Sequence, residues 1–182
     1  MMTLKAKKIL FICLDMQERL LPAMARHDEI LKNTRILLES AHILDIPTLI
    51  TEQYPKGLGR TIETLKIPQN THILAKTSFG IFDDADIKAH IGQSKRKTLV
   101  FFGIESHICV LQSIMQAQNL GYKCLLAADA TSSRKESAYH LALEFLRFQG
   151  VGVLPTESIL FSILGDSAHT SFKTISALVK DE

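Results

Sequence analysis

Short apolar runs alternate with helix-like segments along the chain, and this alternation limits the possible folds more than any other feature. Each run is only a few residues long and is rich in the β-branched and aromatic side chains that favour strands. Unbroken apolar strands are covered on both faces, which predicts an α/β fold with a mainly parallel sheet and helices on either side. The predicted strands are Ile9–Leu14, Thr48–Thr51, His72–Ala75, Thr98–Phe102, Lys123–Ala127 and Val151–Leu154.

Some of the segments between these runs show helical periodicity. From Glu136 to Phe148 an apolar stripe follows the i, i+3, i+4, i+7, i+8 pattern, and Gly150 is a suitable C-terminal residue. We expect this helix to bury Ala138, Leu141, Ala142, Phe145 and Leu146. A second helix is predicted from Glu29 to Leu44, because Pro47 bars its continuation. Further helices are predicted over Ser106–Leu120 and Ser167–Val179.

Length and charge exclude several classes of protein. The 182 residues predict a single domain over residues 1–182, with no linker or repeat to divide it. The net charge of +2 comes from acidic and basic residues mixed along the chain, so we expect neither a nucleic acid nor a membrane as partner. Basic clusters such as Lys95–Lys97 and Arg134–Lys135 are interpreted as solvated ends of elements.

Cysteine usage and targeting signals indicate a cytoplasmic protein. Three widely spaced cysteines, an odd number, fit a reducing compartment better than a disulfide framework. The apolar run Ile9–Leu14 is too short to cross a bilayer or to form the core of a signal peptide. We therefore expect a protein without a secretory leader.

Three residue types with useful chemistry follow predicted strands. Asp15 ends the run FICLD, Lys76 ends HILAK, and Cys109 lies shortly after LVFFG. Ligands of open parallel sheets bind outside the carboxyl ends of the strands. If these strands are neighbours, a carboxylate, an ammonium and a thiol face one cavity, where the Asp15/Lys76 pair could take up the thiol proton.

Each of the three also has a simpler interpretation. Cys109 could be a small buried apolar residue. Alternatively, if Ser106 is the N-cap of a helix, Cys109 lies in its first turn, where the free backbone N–H groups and the helix dipole favour the thiolate. Lys76 could be an ordinary surface charge, and Asp15 could cap a helix at Met16–Leu21. Cys13 and Cys124 lie inside strand runs and are interpreted as core residues.

The sequence offers no metal or nucleotide fingerprint. The seven histidines are scattered without ligand spacing, and His107 is two residues from Cys109, so the two side chains point to different sides of a helix. No glycine-rich phosphate-binding motif follows a strand. We therefore expect no metal and no cofactor.

Five motifs in register resemble the isochorismatase-like hydrolases. They read LDMQERLLP, TEQYPKGLG, AKTSFGIF, FFGIESHICVLQ and LAADATSSR, and the likeness covers about Ile9 to Leu164. The resemblance implies a three-layer α/β/α fold with a mainly parallel, Rossmann-like sheet of about six strands. It also implies a catalytic triad of Asp15, Lys76 and Cys109, and a cis peptide between Ile104 and Glu105.

The family mechanism supplies the remaining expectations. For amidase members the resemblance implies attack of the Cys109 thiolate on a carbonyl carbon, an oxyanion hole formed by the backbone N–H groups of Glu105 and Cys109, and a thioester that water clears. Expected substrate contacts are Gln17, Tyr54, Phe79 and Ile104. The loop TEQYPKGLG lacks the histidines that bind a metal in nicotinamidases, so neither the metal nor nicotinamide is expected.

Two functions follow from these observations. The first is a cysteine hydrolase of a small amide or related carbonyl compound. The alternative is a non-catalytic binding or scaffold protein that keeps the pocket and responds to oxidation of an exposed thiol of low pKa. A homo-oligomer, a dimer or larger, is expected because the C-terminal region is more apolar than a terminus needs. Its apolar residues are Phe161, Ile163, Leu164, Phe172 and Leu178.

Overall fold

Six parallel strands form one sheet in the computed structural model, which describes residues 4–68 and 71–180. They are β1 (Ile9–Leu14), β2 (Thr48–Gln53), β3 (His72–Lys76), β4 (Thr98–Ile104), β5 (Lys123–Ser132) and β6 (Gly152–Leu154). All six predicted strands are confirmed. Four of them, β2 to β5, extend further at their carboxyl ends than predicted. The added residues of β2, β3 and β5 include buried polar side chains, and those of β4 are Gly103 and Ile104.

The strand order places the end of β1 at the centre of one edge of the sheet. The order is β3-β2-β1-β4-β5-β6, with every neighbouring pair parallel. The chain first winds outward from β1 to β3 and then crosses back to β4. The strand order thus reverses between β1 and β4, and ligands of open parallel sheets bind outside the carboxyl ends of the strands at such a point.

Helices cover both faces of the sheet and complete the predicted three layers. They are α1 (His27–Ile43), α2 (Pro55–Leu58), α3 (Ala85–Gln93), α4 (Leu111–Asn119), α5 (Glu136–Phe148), α6 (Thr156–Leu164) and α7 (Phe172–Lys180). One apolar cluster joins α1, α6 and α7 to the side chains of Phe11 and Cys13 on β1. The other joins α3, α4 and α5 to Leu10, Ile12 and Leu14, the alternate residues of the same strand.

Several predicted helices differ in detail. The helix predicted over Ser167–Val179 begins only at Phe172, and the one predicted over Ser106–Leu120 starts with a π-helical turn, Ser106–Val110, before α4. Helices α2, α3 and α6 have no counterpart among the predicted helices. No helix follows Asp15: residues 16–20 form an irregular turn, so the interpretation of Asp15 as a helix cap is wrong.

The buried face of α5 also differs from the predicted stripe. Its buried residues are Tyr139, Ala142, Leu143 and Leu146. Leu141 and Phe145, expected in the core, are 67% and 43% exposed, and Phe148 is 87% exposed. The helix carries two apolar stripes on different faces, and the one with Tyr139 and Leu143 packs against the sheet.

The apolar C-terminal region packs within the chain. Ile163 and Leu164 are buried, and Phe161, Phe172 and Leu178 pack against the same cluster as α1. The rings of Phe161 and Phe172 meet edge to face at 5.9 Å between centroids. Packing within the chain therefore accounts for much of the apolar character of this region, and its role as an interface stays a prediction.

No helix in the described part of the chain is both long and apolar enough to cross a bilayer.

A glycine allows the ends of β1 and β4 to approach each other. Gly103 has a φ of +102°, and a Cβ built on it would collide with the backbone nitrogen and carbonyl oxygen of Leu14, the residue before Asp15. Any larger residue would push apart the two strands that carry Asp15 and Cys109.

We predict that Gly103→Ala lowers the free energy of unfolding by about 3 kcal/mol or more, because it adds a backbone collision to an unfavourable φ. The matched control is Gly92→Ala in α3, where a Cβ would have no neighbour within 4 Å. It should instead stabilise the protein by about 0.5–1 kcal/mol. Urea denaturation measures both, and equal stability of the two variants would contradict the proposed close approach.

Candidate active site

Asp15 lies in a left-handed backbone conformation directly after β1, and its side chain is buried. Its φ of 54° turns the chain out of the strand, and its N–H donates to the Thr51 carbonyl oxygen on β2 at 3.1 Å. Both carboxylate oxygens have partners: Oδ1 accepts the Thr51 hydroxyl at 2.6 Å and Oδ2 accepts Lys76 Nζ at 2.8 Å. These three contacts hold Asp15 toward β2 and β3.

Lys76, the last residue of β3, reaches across β2 to Asp15. Its side chain is as fully buried as that of Asp15, so the interpretation of Lys76 as a surface charge is wrong. Besides Asp15, its ammonium donates to Gln53 Oε1 at 2.5 Å and to the Ser78 carbonyl oxygen at 3.3 Å. A lysine ammonium has three N–H donors, and each of them faces an oxygen. The three oxygens therefore match the three donors of this buried ammonium.

Opposing effects act on the Asp15 carboxyl group. Burial raises its pKa above the ordinary value, whereas the Lys76 ammonium and the Thr51 hydroxyl oppose that rise. A buried carboxylate with a raised pKa is a better proton acceptor than one in water. The raised pKa therefore makes Asp15 a candidate proton acceptor.

Cys109 meets this pair from the other side of β1. It lies in the π-helical turn after β4, its side chain is nearly fully buried, and its thiol is within hydrogen-bonding reach of both Asp15 and Lys76. Burial and then the charge of Asp15 raise the pKa of the thiol to about 12, while Lys76 lowers it. The expected lowering of this pKa by a helix start is wrong, because desolvation outweighs the backbone dipoles. The resting sulfur thus carries its proton.

The turn around Cys109 is fixed by hydrogen bonds rather than by a cap. Ser106, the expected N-cap, instead bonds through its hydroxyl to Thr131 Oγ1 at 2.8 Å on β5, and no side chain caps the turn. The Ile104–Glu105 peptide is cis, as the motif likeness implied. Ser113 Oγ donates to the Cys109 carbonyl oxygen at 2.5 Å.

Glu105 binds the turn that holds Cys109 to the chain just after β5. Its carboxylate accepts the backbone N–H and the Nε–H of Arg134 at 3.0 and 3.1 Å. Its carbonyl oxygen accepts the N–H groups of Ile108 and Val110, which closes the turn. The backbone of the expected oxyanion hole, Glu105 and Cys109, is therefore held at both ends.

The four expected substrate contacts divide into two kinds. Tyr54 and Phe79 are both 53% exposed; Tyr54 N–H donates to the Lys76 carbonyl oxygen, and Phe79 follows three residues after Lys76. Gln17 and Ile104 are fully buried. The Gln17 amide donates to the carbonyl oxygens of Gln53 and Gly59 and accepts the Gln53 N–H. This pattern favours a role for Gln17 in holding the loop after β2.

Several residues that were not predicted as site residues hold either the central side chains or the turn around Cys109. They are Thr51, Gln53, Ser113, Thr131 and Arg134. Thr51 and Gln53 alternate on β2 and face the same side, so their positions at a strand end could have indicated the contact. The others form contacts between distant elements, for which the sequence has no local signal.

The loop after β2 is organised by a carboxylate that pairs with neutral donors. Glu52 Oε1 accepts the N–H and the hydroxyl of Thr61 at 2.7 and 2.9 Å.

Among residues 4–68 and 71–180, no group of three or more His, Cys, Asp or Glu side chains is arranged so as to hold a metal ion.

Comparison with known proteins gives consistent matches. The family model for the isochorismatase domain matches residues 9–158. Isochorismatase domain-containing protein 1 of Salmo salar is 35% identical over 170 residues, which cover 93% of this chain and 60% of that protein. The chain thus spans about three fifths of that relative's length.

Solved structures share the fold over nearly the full chain. The MAR1 ribonuclease of Caenorhabditis elegans is 32% identical, with a TM-score of 0.92, over 98% of this chain and 92% of its own. The YcaC gene product of Escherichia coli, described as an octameric hydrolase of unknown specificity, has a TM-score of 0.92 over 100% of this chain and 92% of its own. At 19% identity, the second likeness concerns the fold alone.

We predict that Lys76→Met lowers the free energy of unfolding by about 3–5 kcal/mol at pH 8, because it leaves a buried carboxylate without a counter-charge. The double variant Asp15→Asn/Lys76→Met should recover most of this loss, because it buries no charge. In Lys76→Met the folded-state pKa of Asp15 rises further above its unfolded value. Protonation on acidification therefore favours the folded state, and the loss should shrink between pH 8 and pH 5.

Urea denaturation of the wild type, Asp15→Asn, Lys76→Met and the double variant measures the interaction free energy between the two side chains. Additive effects in that cycle would show that the ion pair contributes no interaction free energy.

Proposed function

Since the chain belongs to the isochorismatase family of hydrolases, we propose that it hydrolyses a small amide or related carbonyl compound, with Cys109 as nucleophile. The observation that carries this proposal is the buried meeting of a thiol, a carboxylate of raised pKa and an ammonium held by three oxygens. In this assignment Asp15, Lys76 and Cys109 form a catalytic triad.

The first half of the reaction forms a thioester. Asp15 takes the proton from Cys109 as the sulfur attacks the carbonyl carbon and the carbonyl π electrons move to oxygen. The backbone N–H groups of Glu105 and Cys109 stabilise the resulting oxyanion. When the oxyanion collapses, the C–N bond breaks and the amine leaves with the proton from Asp15. Lys76 remains an ammonium throughout.

The second half releases the acid. Asp15 takes a proton from water as the water oxygen attacks the thioester carbon. Collapse of this second tetrahedral intermediate breaks the C–S bond, and the departing sulfur recovers the proton from Asp15. The enzyme returns to a neutral thiol beside a carboxylate and an ammonium, as in the resting site.

The rim residues suggest how the substrate is held. Tyr54 and Phe79 flank Lys76 and are half exposed, so they can cover an apolar or planar part of a small molecule. Ile104, buried before the nucleophile turn, would form the floor. Gln17 acts in this proposal through the loop that carries Tyr54, since its amide is bound to backbone on both sides of that residue.

Two alternatives make different predictions. A non-catalytic scaffold is favoured by the protonated thiol, whose pKa is about 12, but the burial of that thiol disfavours its oxidation. The ribonuclease name of the Caenorhabditis elegans relative raises RNA as a substrate.

Our proposal keeps a small molecule as the partner, without nucleic acid or membrane. It also keeps residues 1–182 as one domain, whose first and last residues lie outside the described ranges.

The compartment is also a proposal. Cys13, Cys109 and Cys124 are all free thiols and all buried. Free thiols persist in a reducing environment, which favours the cytoplasm.

We predict that Cys109→Ala abolishes turnover of every amide that the wild type hydrolyses, because no other group forms the covalent bond. Iodoacetamide should alkylate Cys109 and spare Cys13, which is fully buried and whose pKa burial raises strongly. Cys124→Ala is the matched control and should keep full activity. Peptide mass mapping and an assay of amine release measure the outcome.

Retained activity in Cys109→Ala would contradict the mechanism. Cleavage of RNA by both the wild type and Cys109→Ala would favour a ribonuclease that does not use this thiol. Absence of turnover across an amide panel, combined with reversible oxidation of Cys109, would favour the scaffold.

We propose that the chain forms homo-oligomers through α5 rather than through its C-terminal region. Leu141, Phe145 and Phe148 form an exposed apolar stripe at i, i+4 and i+7, which a second copy of the same helix can cover. The octameric YcaC gene product shows that this fold can assemble.

We predict that the double variant Phe145→Ser/Phe148→Ser is smaller by sedimentation than the wild type at the same micromolar concentration, because the stripe loses most of its apolar area. Phe161→Ser, which removes a ring packed within the chain, is the control and should lower stability without changing the assembly. A monomeric wild type would overturn this proposal.

A further inference from the structure

The loop after β3 carries one of the two exposed aromatic residues at the rim and is tied to the site on both sides of it. The Ser78 carbonyl oxygen accepts Lys76 Nζ at 3.3 Å. Three residues later the N–H of Ile81, a fully buried residue, donates to Ser113 Oγ at 3.2 Å. Phe79 lies between these two bonds and is 53% exposed. The backbone on both sides of this ring is therefore held, while the ring itself is half exposed.

Ser113 joins this loop to the turn that holds the nucleophile. It lies in the first turn of α4, and its side chain is fully buried. Its hydroxyl donates to the Cys109 carbonyl oxygen at 2.5 Å and accepts the Ile81 N–H. Cys109 and Lys76 reach the site from opposite sides of β1. A single hydroxyl thus connects the chain segments that follow the two residues' strands.

Gln116 holds the next part of the same loop. It follows Ser113 by three residues, so the two side chains share a face of α4. Its Oε1 accepts the N–H of Phe82 at 3.0 Å, and its Nε2 donates to the Asp83 carboxylate at 2.7 Å. Gly80 allows this approach, because a Cβ built there would collide with the Gln116 side-chain amide. One face of α4 therefore binds the three residues that follow Gly80.

We propose that Ser113 and Gln116 are positioning residues, which set the specificity of the site by fixing Phe79 relative to Cys109. The inference rests on the proposed function and deepens it, because it identifies what holds the ring that would cover a planar part of the substrate. A loop that is already fixed loses less conformational freedom when it covers a ligand than a mobile loop does. The fixed ring therefore favours amides that carry a planar apolar group over equally reactive amides without one.

The test compares two reagents that react at the same carbon but differ in size. Iodoacetamide and its N-phenyl derivative, iodoacetanilide, are both neutral and both alkylate thiols, and only the second carries an aromatic ring. Their rates at Cys109 are measured by peptide mass mapping. The ratio of the two rates cancels any change in the reactivity of the thiol, because such a change affects both reagents equally.

The expected change is a loss of preference for the aromatic reagent. Phe79→Ala should lower the iodoacetanilide-to-iodoacetamide ratio by about twofold to tenfold, the range that a contact between two aromatic rings supplies. Ser113→Ala and Gln116→Met should each lower the same ratio by about twofold or more, because the ring is then no longer held in place.

Each positioning variant has a matched control. Ser162 Oγ on α6 donates to the Ser158 carbonyl oxygen, the same bond to the fourth preceding residue that Ser113 makes on α4. Gln118 is also on α4, and its Nε2 donates to the Gln149 carbonyl oxygen. Ser162→Ala and Gln118→Met remove these bonds, which do not involve the loop after β3, and should leave the ratio near the wild-type value.

Double variants separate positioning from a general loosening of the protein. If Ser113 and Gln116 act through the ring, then Ser113→Ala or Gln116→Met should change the ratio little once Phe79 is alanine. Additive losses in the double variants, an unchanged ratio in both positioning variants, or an unchanged ratio in Phe79→Ala would each overturn the proposal. Gln116 is only partly buried, so Gln116→Met keeps the test decisive if Ser113→Ala does not fold.

The same measurements distinguish this inference from the function on which it rests. If iodoacetamide alkylates Cys109 in every variant but the ratio never changes, the positioning role fails and the nucleophile stands. If neither reagent alkylates Cys109 in the wild type, the proposed function fails, and the positioning role fails with it.

Discussion

A buried ion pair between Asp15 and Lys76 is the constraint on which the rest of this structure depends. Both side chains are fully buried, so the pair is tolerated only if the remaining donors and acceptors are satisfied. Thr51, Gln53 and the Ser78 carbonyl oxygen satisfy them, and two of these partners are on the strand between β1 and β3. The pair therefore specifies the alignment of the ends of β1, β2 and β3, and Gly103 allows the end of β4 to lie against that of β1.

The state of the proton follows from the same burial. With a neutral thiol, a carboxylate and an ammonium, the site has no net charge. Releasing the thiol proton to water would leave a net negative charge in a desolvated place, which is why the pKa of Cys109 rises to about 12. Moving that proton to Asp15 keeps the site neutral overall. The geometry thus favours transfer within the site over ionisation into solvent, and in the proposed mechanism the arrival of a carbonyl group drives it.

The predictions from the sequence that the structure corrects all depend on how the elements pack. On α5, Leu141 and Leu143 are equally apolar and both belong to stripes with helical spacing, yet only Leu143 meets the sheet. The apolar C-terminal residues suggested an interface, but α6 and α7 fold back onto the cluster around α1. The helix start before Cys109 suggested a reactive thiolate, whereas the depth of the turn reverses the shift. In each case the chemical character of the residue was interpreted correctly, but its neighbours in the folded chain could not be inferred from the sequence.

The order of apolar runs along the chain was sufficient to predict six parallel strands and helices on both faces, because burial on two faces leaves a local and continuous pattern. It was also sufficient to select Asp15, Lys76 and Cys109, because residues after such runs lie at one edge of the sheet. The path of Lys76 across β2, the hydrogen bonds of Gln53 and Arg134, and the helix face that meets the sheet required the folded chain. They depend on contacts between residues tens of positions apart, and such contacts leave no periodicity in the sequence.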